Sequence, residues 1–263
     1  MANRLELGLD GSADPHIERL LESFAFLTAR IQRNLKSEFP LLSNALLGGL
    51  YPQFLSPVPP MAVARFELDP SQAKLTSAYT IPKHTPLKTK QGDCKFRTCY
   101  PIDLLPVEVT EAEFTAPDKI EGTEGISTVL RLKIESLGGD PFSGLAIPRL
   151  RFYLNGDHIL VNTLYEILFS NVKRIRISTK EDGKSGSDLP KEAILPVGFG
   201  KDEAVLPYPE NAHPGYRLIH EYFTFPEKFL FFDLDFQRGK ELFPPEADAF
   251  YILIMMDQTP KRR

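Results

Sequence analysis

The sequence predicts an α+β fold: an N-terminal helical arm, then a mostly antiparallel, β-rich region with a few short helices. Three observations carry that expectation. Ile17, Leu20, Leu21, Phe24, Leu27, Ile31 and Leu35 recur at intervals of three and four, the spacing of one helix face. Beyond residue 61 the apolar residues come in short, often alternating runs instead. Proline is abundant, at 23 of 263 residues, and glycine moderate at 17, which suits short strands joined by turns better than a helical bundle.

The arm begins at Asp14-Pro15, an N-cap followed by proline at the first helical position, with Glu18 adding negative charge to the first turn. Arg30, Arg33 and Lys36 lie toward the far end, where the helix dipole favours cations. A second, shorter helix is expected over Pro40–Leu50, stopping at Gly48-Gly49 or just beyond and before Pro52. YPQFLSPVPP (51–60) holds four prolines and reads as an extended connector, so residues 1–60 form arm plus connector. The wide apolar stripe either covers the chain's own sheet or joins a bundle shared between subunits.

Residues 61–178 read as a β-rich domain, with strands at AVARFEL (62–68), CKFRTCY (94–100), LLPVEV (104–109), TVLRLKIE (128–135), RLRFYLN (149–155) and RIRIS (174–178). In TVLRLKIE, Leu130, Leu132 and Ile134 share one face, and Val129, Arg131, Lys133 and Glu135 the other. Asn155-Gly156 signals a turn, and Asp157 caps a helix through Ile159–Phe169. EDGKSGSD (181–188) reads as a mobile loop or internal boundary. Residues 179–263 then form a second β-rich portion, expected to continue in a longer protein. Within it FLFFDLDF (229–236) and FYILIMMD (250–257) are apolar on both faces, as central strands covered on each side are.

The net charge of −4 leaves no electrostatic footprint for nucleic acid or anionic lipid. The longest clean apolar run, residues 250–256, falls far short of the roughly 20 residues of a membrane span. With no signal peptide visible, a soluble cytoplasmic protein is expected. Cys94 and Cys99 stand alone at C-x4-C, reading as free thiols in preference to a local disulfide and not as a zinc site.

No phosphate-binding glycine loop or nucleophile elbow is present. His220-Glu221 begins a zinc-protease pattern, but the position for its second histidine holds Thr224. The stretch HPGYRLIHEYFTFPEKFLFF (213–232) reads instead as a helix start after His213 and a turn into a buried strand, with histidines and glutamates at its rim. Asp233 and Asp235 alternate on a strand end, a spacing that a carbohydrate-active enzyme or lectin would need for paired acids. Solvent-facing acids are the plainer account of that pair, and Arg174 and Arg176 read as the solvated face of RIRIS.

Several long blocks resemble one family in order. ADPHIERLLESFAFLTARIQRNLKSEFPLLSNALLGGLYPQFLSPVPPMAVARF (13–66), FRTCYPIDLLPVEV (96–109), LRFYLNGD (150–157) and HPGYRLIHEYFTFPEKFLFFDL (213–234) resemble the TssF (ImpG, VasA) family of the type VI secretion system. The resemblance implies a structural baseplate wedge protein without catalysis or cofactor. Its implied partners are TssG and a second TssF copy, with TssK, TssE and the hub and spike in the assembled baseplate. Neither nucleic acid nor membrane insertion is implied, and the place is the cytoplasm, beside the membrane-anchored apparatus. Family members are considerably longer, so the chain is expected to be a fragment. Phe24, Leu27, Tyr51, Phe54 and Leu55 are the positions expected to meet partners. If they pack on the chain's own sheet instead, their loss should unfold it.

Overall fold

The computed structural model describes residues 7–8, 11–12, 14–68, 78–90, 92, 94–137, 141–142, 147–210, 212–239 and 247–260. It has the expected α+β composition: a long N-terminal helix, then antiparallel strands and two shorter helices. Two compact units emerge, one of Met1–Pro59 with Tyr208–Ala212, the other of Pro60–Pro207 with His213–Arg263.

In the first unit, β1 (Leu7–Gly8) pairs with β2 (Gly11–Ser12) ahead of helix α1 (Pro15–Leu50). The Asp14 carboxylate accepts from the His16 N–H at 2.9 Å, so the expected cap is in place. The helix stops where its sequence runs out of options: the Tyr51 N–H donates to the Leu47 carbonyl at 2.6 Å, and Pro52 follows.

The expected break before Pro40 does not occur, and α1 is one helix of 36 residues with Pro40 inside it. Proline deletes one N–H rung and crowds the turn before it, but leaves the ladders on either side intact. The helix is therefore about 54 Å long at 1.5 Å per residue.

In the second unit, β3 (Tyr79–Ile81) pairs with β6 (Ile102–Leu104) and β4 (Pro86–Lys88) with β5 (Lys95–Arg97). The larger elements follow: β7 (Val107–Thr115), β8 (Thr128–Ser136), β9 (Arg149–Tyr153), α2 (His158–Ser170), β10 (Val172–Ser178), β11 (Ser187–Leu189), β12 (Ile194–Pro196), α3 (Pro214–Thr224), β13 (Phe231–Asp235) and β14 (Ala249–Met256). They build a five-stranded antiparallel sheet in the order β11-β10-β14-β8-β7 and a three-stranded one in the order β12-β13-β9. Each sheet draws strands from both sides of residue 178.

Register explains the core. Ile252 faces Leu132 on β8 and Ile177 on β10, and Ile254 faces Leu130 and Ile175, so one face of the sheet is a continuous apolar layer. Leu150, Phe232 and Leu234 of the smaller sheet and Ile167 and Leu168 of α2 pack on that layer. The opposite face buries Val129, Leu253 and Met255 under Ile120. β14 is thus covered on both sides, as its unbroken apolar run requires.

Three expectations change. Residues 62–68 form no strand, because none of the described strands offers them a ladder. The polar face of β8 is partly interior: Val129 is fully buried, and Arg131 is buried while its guanidinium meets Glu113 and Glu181. The 181–188 stretch is no internal boundary: residues 179–186 turn between β10 and β11, and Ser187 and Asp188 already belong to β11. Its Gly183 sits at φ +76°, and a Cβ at Gly186 would lie 2.7 Å from the Ile177 carbonyl oxygen.

Gly186→Ala lowers unfolding free energy by about 1–3 kcal/mol, the usual cost of overpacking. Gly49→Ala, where a Cβ meets nothing within 4 Å, acts oppositely, by about 0.5–1 kcal/mol. Urea denaturation of both variants, followed by circular dichroism, checks the two signs.

Candidate partner-docking surfaces

α1 carries apolar side chains that its own unit does not bury. Leu20, Phe24, Phe26, Leu27, Ile31, Leu35, Leu41, Leu42, Leu46 and Leu50 are all more than half exposed. They form one broad stripe, widened by Phe26 and Leu41, while Glu18, Glu22, Arg33 and Lys36 lie on the opposite side of the helix. A lone surface helix has no reason to carry such residues.

Of the five sequence-predicted contact positions, Phe24 (71 %) and Leu27 (55 %) lie side by side on this surface. Tyr51, Phe54 and Leu55 are exposed at the helix end. There residues 52–54 make a single tight turn that brings the Tyr51 and Phe54 rings to 6.0 Å. The two groups stand about 40 Å apart along the helix, so they are separate patches. Gln53, between the exposed aromatics, is buried, and its amide has no hydrogen-bond partner among the described residues.

α3 provides a third surface, which sequence reasoning missed. His213 caps it, its Nδ1 accepting from the Gly215 N–H at 3.1 Å, and Pro214 opens the first turn. The helix then divides by side. Arg217 and Glu221 are buried, while Tyr216, Ile219, Tyr222 and Phe223 are exposed, Phe223 by 80 %. Tyr222 lies 5.5 Å from the Phe223 ring and 6.0 Å from Phe229, and Phe229 lies 5.0 Å from the half-exposed Phe199. Phe229 is itself buried and underlies the exposed rings of Tyr222 and Phe199.

Glu221 holds α3 in place. Its Oε1 accepts from the Val205 and Leu206 N–H groups at 2.8 and 3.0 Å, and its Oε2 takes the Lys228 ammonium, with Arg217 Nε 3.8 Å away. Arg217 turns its other nitrogens to the Gly200 and Lys201 carbonyls at 2.8 and 3.0 Å. Burial pushes the Lys228 ammonium below its usual range, against the pull of Glu221. Of the two glutamates expected at the rim, Glu227 is exposed but Glu221 is the buried centre. The clue lay in Arg217, Glu221 and Lys228, at spacings of four and seven.

The paired acids part company. Cross-strand register sets Asp233 opposite Arg151, whose Nε and Nη2 donate to the two carboxylate oxygens at 2.7 and 2.8 Å. Asp233 is buried there, not solvent-facing. Asp235 accepts from the Gln237 N–H at 3.0 Å and from Arg238 Nε at 3.1 Å. Both carboxylates are engaged in holding structure. Tyr100 stacks under Arg151, 5.7 Å from ring to guanidinium, and burial with nearby carboxylates drives its hydroxyl far above the usual range. Burial likewise raises the Cys99 thiol, and Cys94 and Cys99 are both free. Among the described residues no three His, Cys, Asp or Glu side chains gather as metal ligands. Nor is any described helix long and apolar enough to cross a membrane.

A sequence model of the family described as "Type VI secretion system, TssF" matches residues 1–263. The chain belongs to the TssF family. A relative from Pseudomonas aeruginosa, "Type VI secretion system component TssF1", is 36 % identical over 242 residues, covering 88 % of this chain and 39 % of the relative. A chain from the cryo-electron microscopy structure of a TssK-TssF-TssG baseplate subcomplex shares the fold, at TM-score 0.67 and 24 % identity. That match covers 92 % of this chain and 45 % of the other. The chain thus spans about two fifths of its curated TssF relative. Within the TssF family sequence seen here, the HPGYRLIHEYFTFPEKFLFF block owes its form to the Glu221 anchor beneath an aromatic face.

Glu221→Gln removes the carboxylate that pairs with the Lys228 ammonium, and should cost about 3–5 kcal/mol. Adding Lys228→Met should recover part of that loss, since Gln still accepts from the loop amides and the unpaired cation is gone. Urea unfolding of the two singles and the double measures the coupling.

Proposed function

We propose that this chain is a structural, non-enzymatic component of the type VI secretion baseplate, docking with TssG and other wedge subunits to build the platform for tail tube and contractile sheath. TssF family membership carries the proposal, together with an α1 that leaves most of its large apolar side chains in water. The curated relative is a type VI secretion component, and the related structure is a TssK-TssF-TssG baseplate subcomplex, so TssG and TssK head the partners. A second TssF copy, TssE and the hub and spike complete the set, in the cytoplasm beside the membrane-anchored apparatus.

Docking here is burial of apolar anchors with charge choosing orientation. Phe24 and Leu27 are the anchors on the arm, and Tyr51, Phe54 and Leu55 those at its end. Asp14 at the cap, with Glu18 and Glu22 against a single Arg19, makes the start of the arm acidic, while Arg30, Arg33 and Lys36 make the middle of α1 basic. A second copy laid antiparallel would match acid to base. The carbohydrate-active enzyme or lectin has lost its motivating pair, since Asp233 and Asp235 each hold an arginine.

Leu27→Asp combined with Phe24→Asp should reduce co-purification of the full chain with TssG by about a hundredfold or more, the cost of losing central anchors. Circular dichroism and thermal melting should leave the β-rich unit unchanged. A folded double variant that still assembles with TssG overturns the arm as an interface.

A further inference from the structure

We propose that the outer edge of β7 is a strand-addition site for an extended, cationic segment of a partner protein. β7 ends the five-stranded sheet, so one of its edges is paired with β8 and the other is open among the described residues. It is nine residues long, contains neither proline nor lysine, and is exposed from Glu108 to Phe114. An edge of that length presents a row of unpaired N–H and C=O groups to any extended chain.

Charge decides which chain. Pairing with β8 puts Glu108, Glu111 and Glu113 on one side of the sheet with Glu135, Lys133 and Arg131. The carboxylates of Glu108, Glu111, Glu113 and Glu181 stay about half exposed or more, whereas Arg131 is 9 % and Lys133 23 % exposed. Arg131 and Lys133 are drawn inward, and Arg65, 74 % exposed, meets Glu108 at 3.4 Å, so Glu111, Glu113 and Glu181 make up most of the acidic surface that the edge shows to water. Val109 and Phe114, both 44 % exposed, offer apolar contacts from the other side of the strand.

A second copy of β7 is excluded as occupant, because self-pairing would set one row of glutamates beside another. Nucleic acid is excluded by the same charge. The complementary occupant carries Lys or Arg at alternate positions and apolar residues between them. One acidic row therefore blocks self-association and selects the partner. The bulge between Val109 and Glu111 limits how far the added ladder runs without interruption.

The test uses a capped peptide as long as β7, alternating lysine with valine, added to the full chain and followed by amide hydrogen exchange. The expected result is binding with slowed exchange across residues 107–115. A peptide of equal charge with proline at the valine positions should bind about tenfold more weakly, since half its residues lose the N–H and the apolar contact they would bring to the edge. Glu108→Gln with Glu111→Gln should weaken the valine peptide by about fivefold to tenfold, with an unchanged circular dichroism spectrum. Equal binding of the proline peptide, protection confined to other segments, or no binding overturns the proposal.

Discussion

Everything in the β-rich unit leans on β14. It is paired along both edges, to β8 and β10, and Phe250 and Ile252–Met256 are buried on alternate faces. A strand so placed has no side on which a polar residue is tolerated, which is why its sequence runs AFYILIMM. One face receives the smaller sheet and α2, the other receives Ile120 and the stem of Arg131. Each CH2 of that strand kept from water contributes about 0.8 kcal/mol, so the strand both orders the unit and supplies much of its stability.

Buried ion pairs then fix the details that apolar packing leaves loose. Asp233–Arg151 pins the register of β13 on β9, Glu221 with Lys228 and Arg217 pins α3 on the 198–206 loop, and Arg131 ties β7 and the β10–β11 turn to the sheet. Such pairs add little net stability once the cost of desolvation is counted. Their effect is geometric. Each has one arrangement that satisfies it, and that arrangement sets which way the exposed face of α3 and the edge of β7 look.

Local signals made some of this plain in the sequence and hid the rest. Asp14-Pro15, Asp157 and the alternation in residues 128–135 act within a few residues, and the caps and strand they announce are present. Pro40 misled because a proline cost is local while a helix ladder is long. Residues 62–68 misled in reverse, having strand composition but no described partner strand, and pairing is a non-local property. The burial of Glu221 and Asp233 depends on cations seven and 82 residues away in the chain, and only the fold brings the second pair together. For the contact positions, sequence identified apolar residues on the arm. It could not show that they form two patches, nor that α3 bares a third.

The exposed stripe of leucines and phenylalanines on α1 also bears on timing. Apolar side chains left in water make the solitary subunit the state most prone to self-association and to proteolytic clearance. In the proposed docking role, such a surface would penalise any copy made before its partners. Balanced supply of the subunits, as well as affinity, would then govern how much of the proposed complex forms.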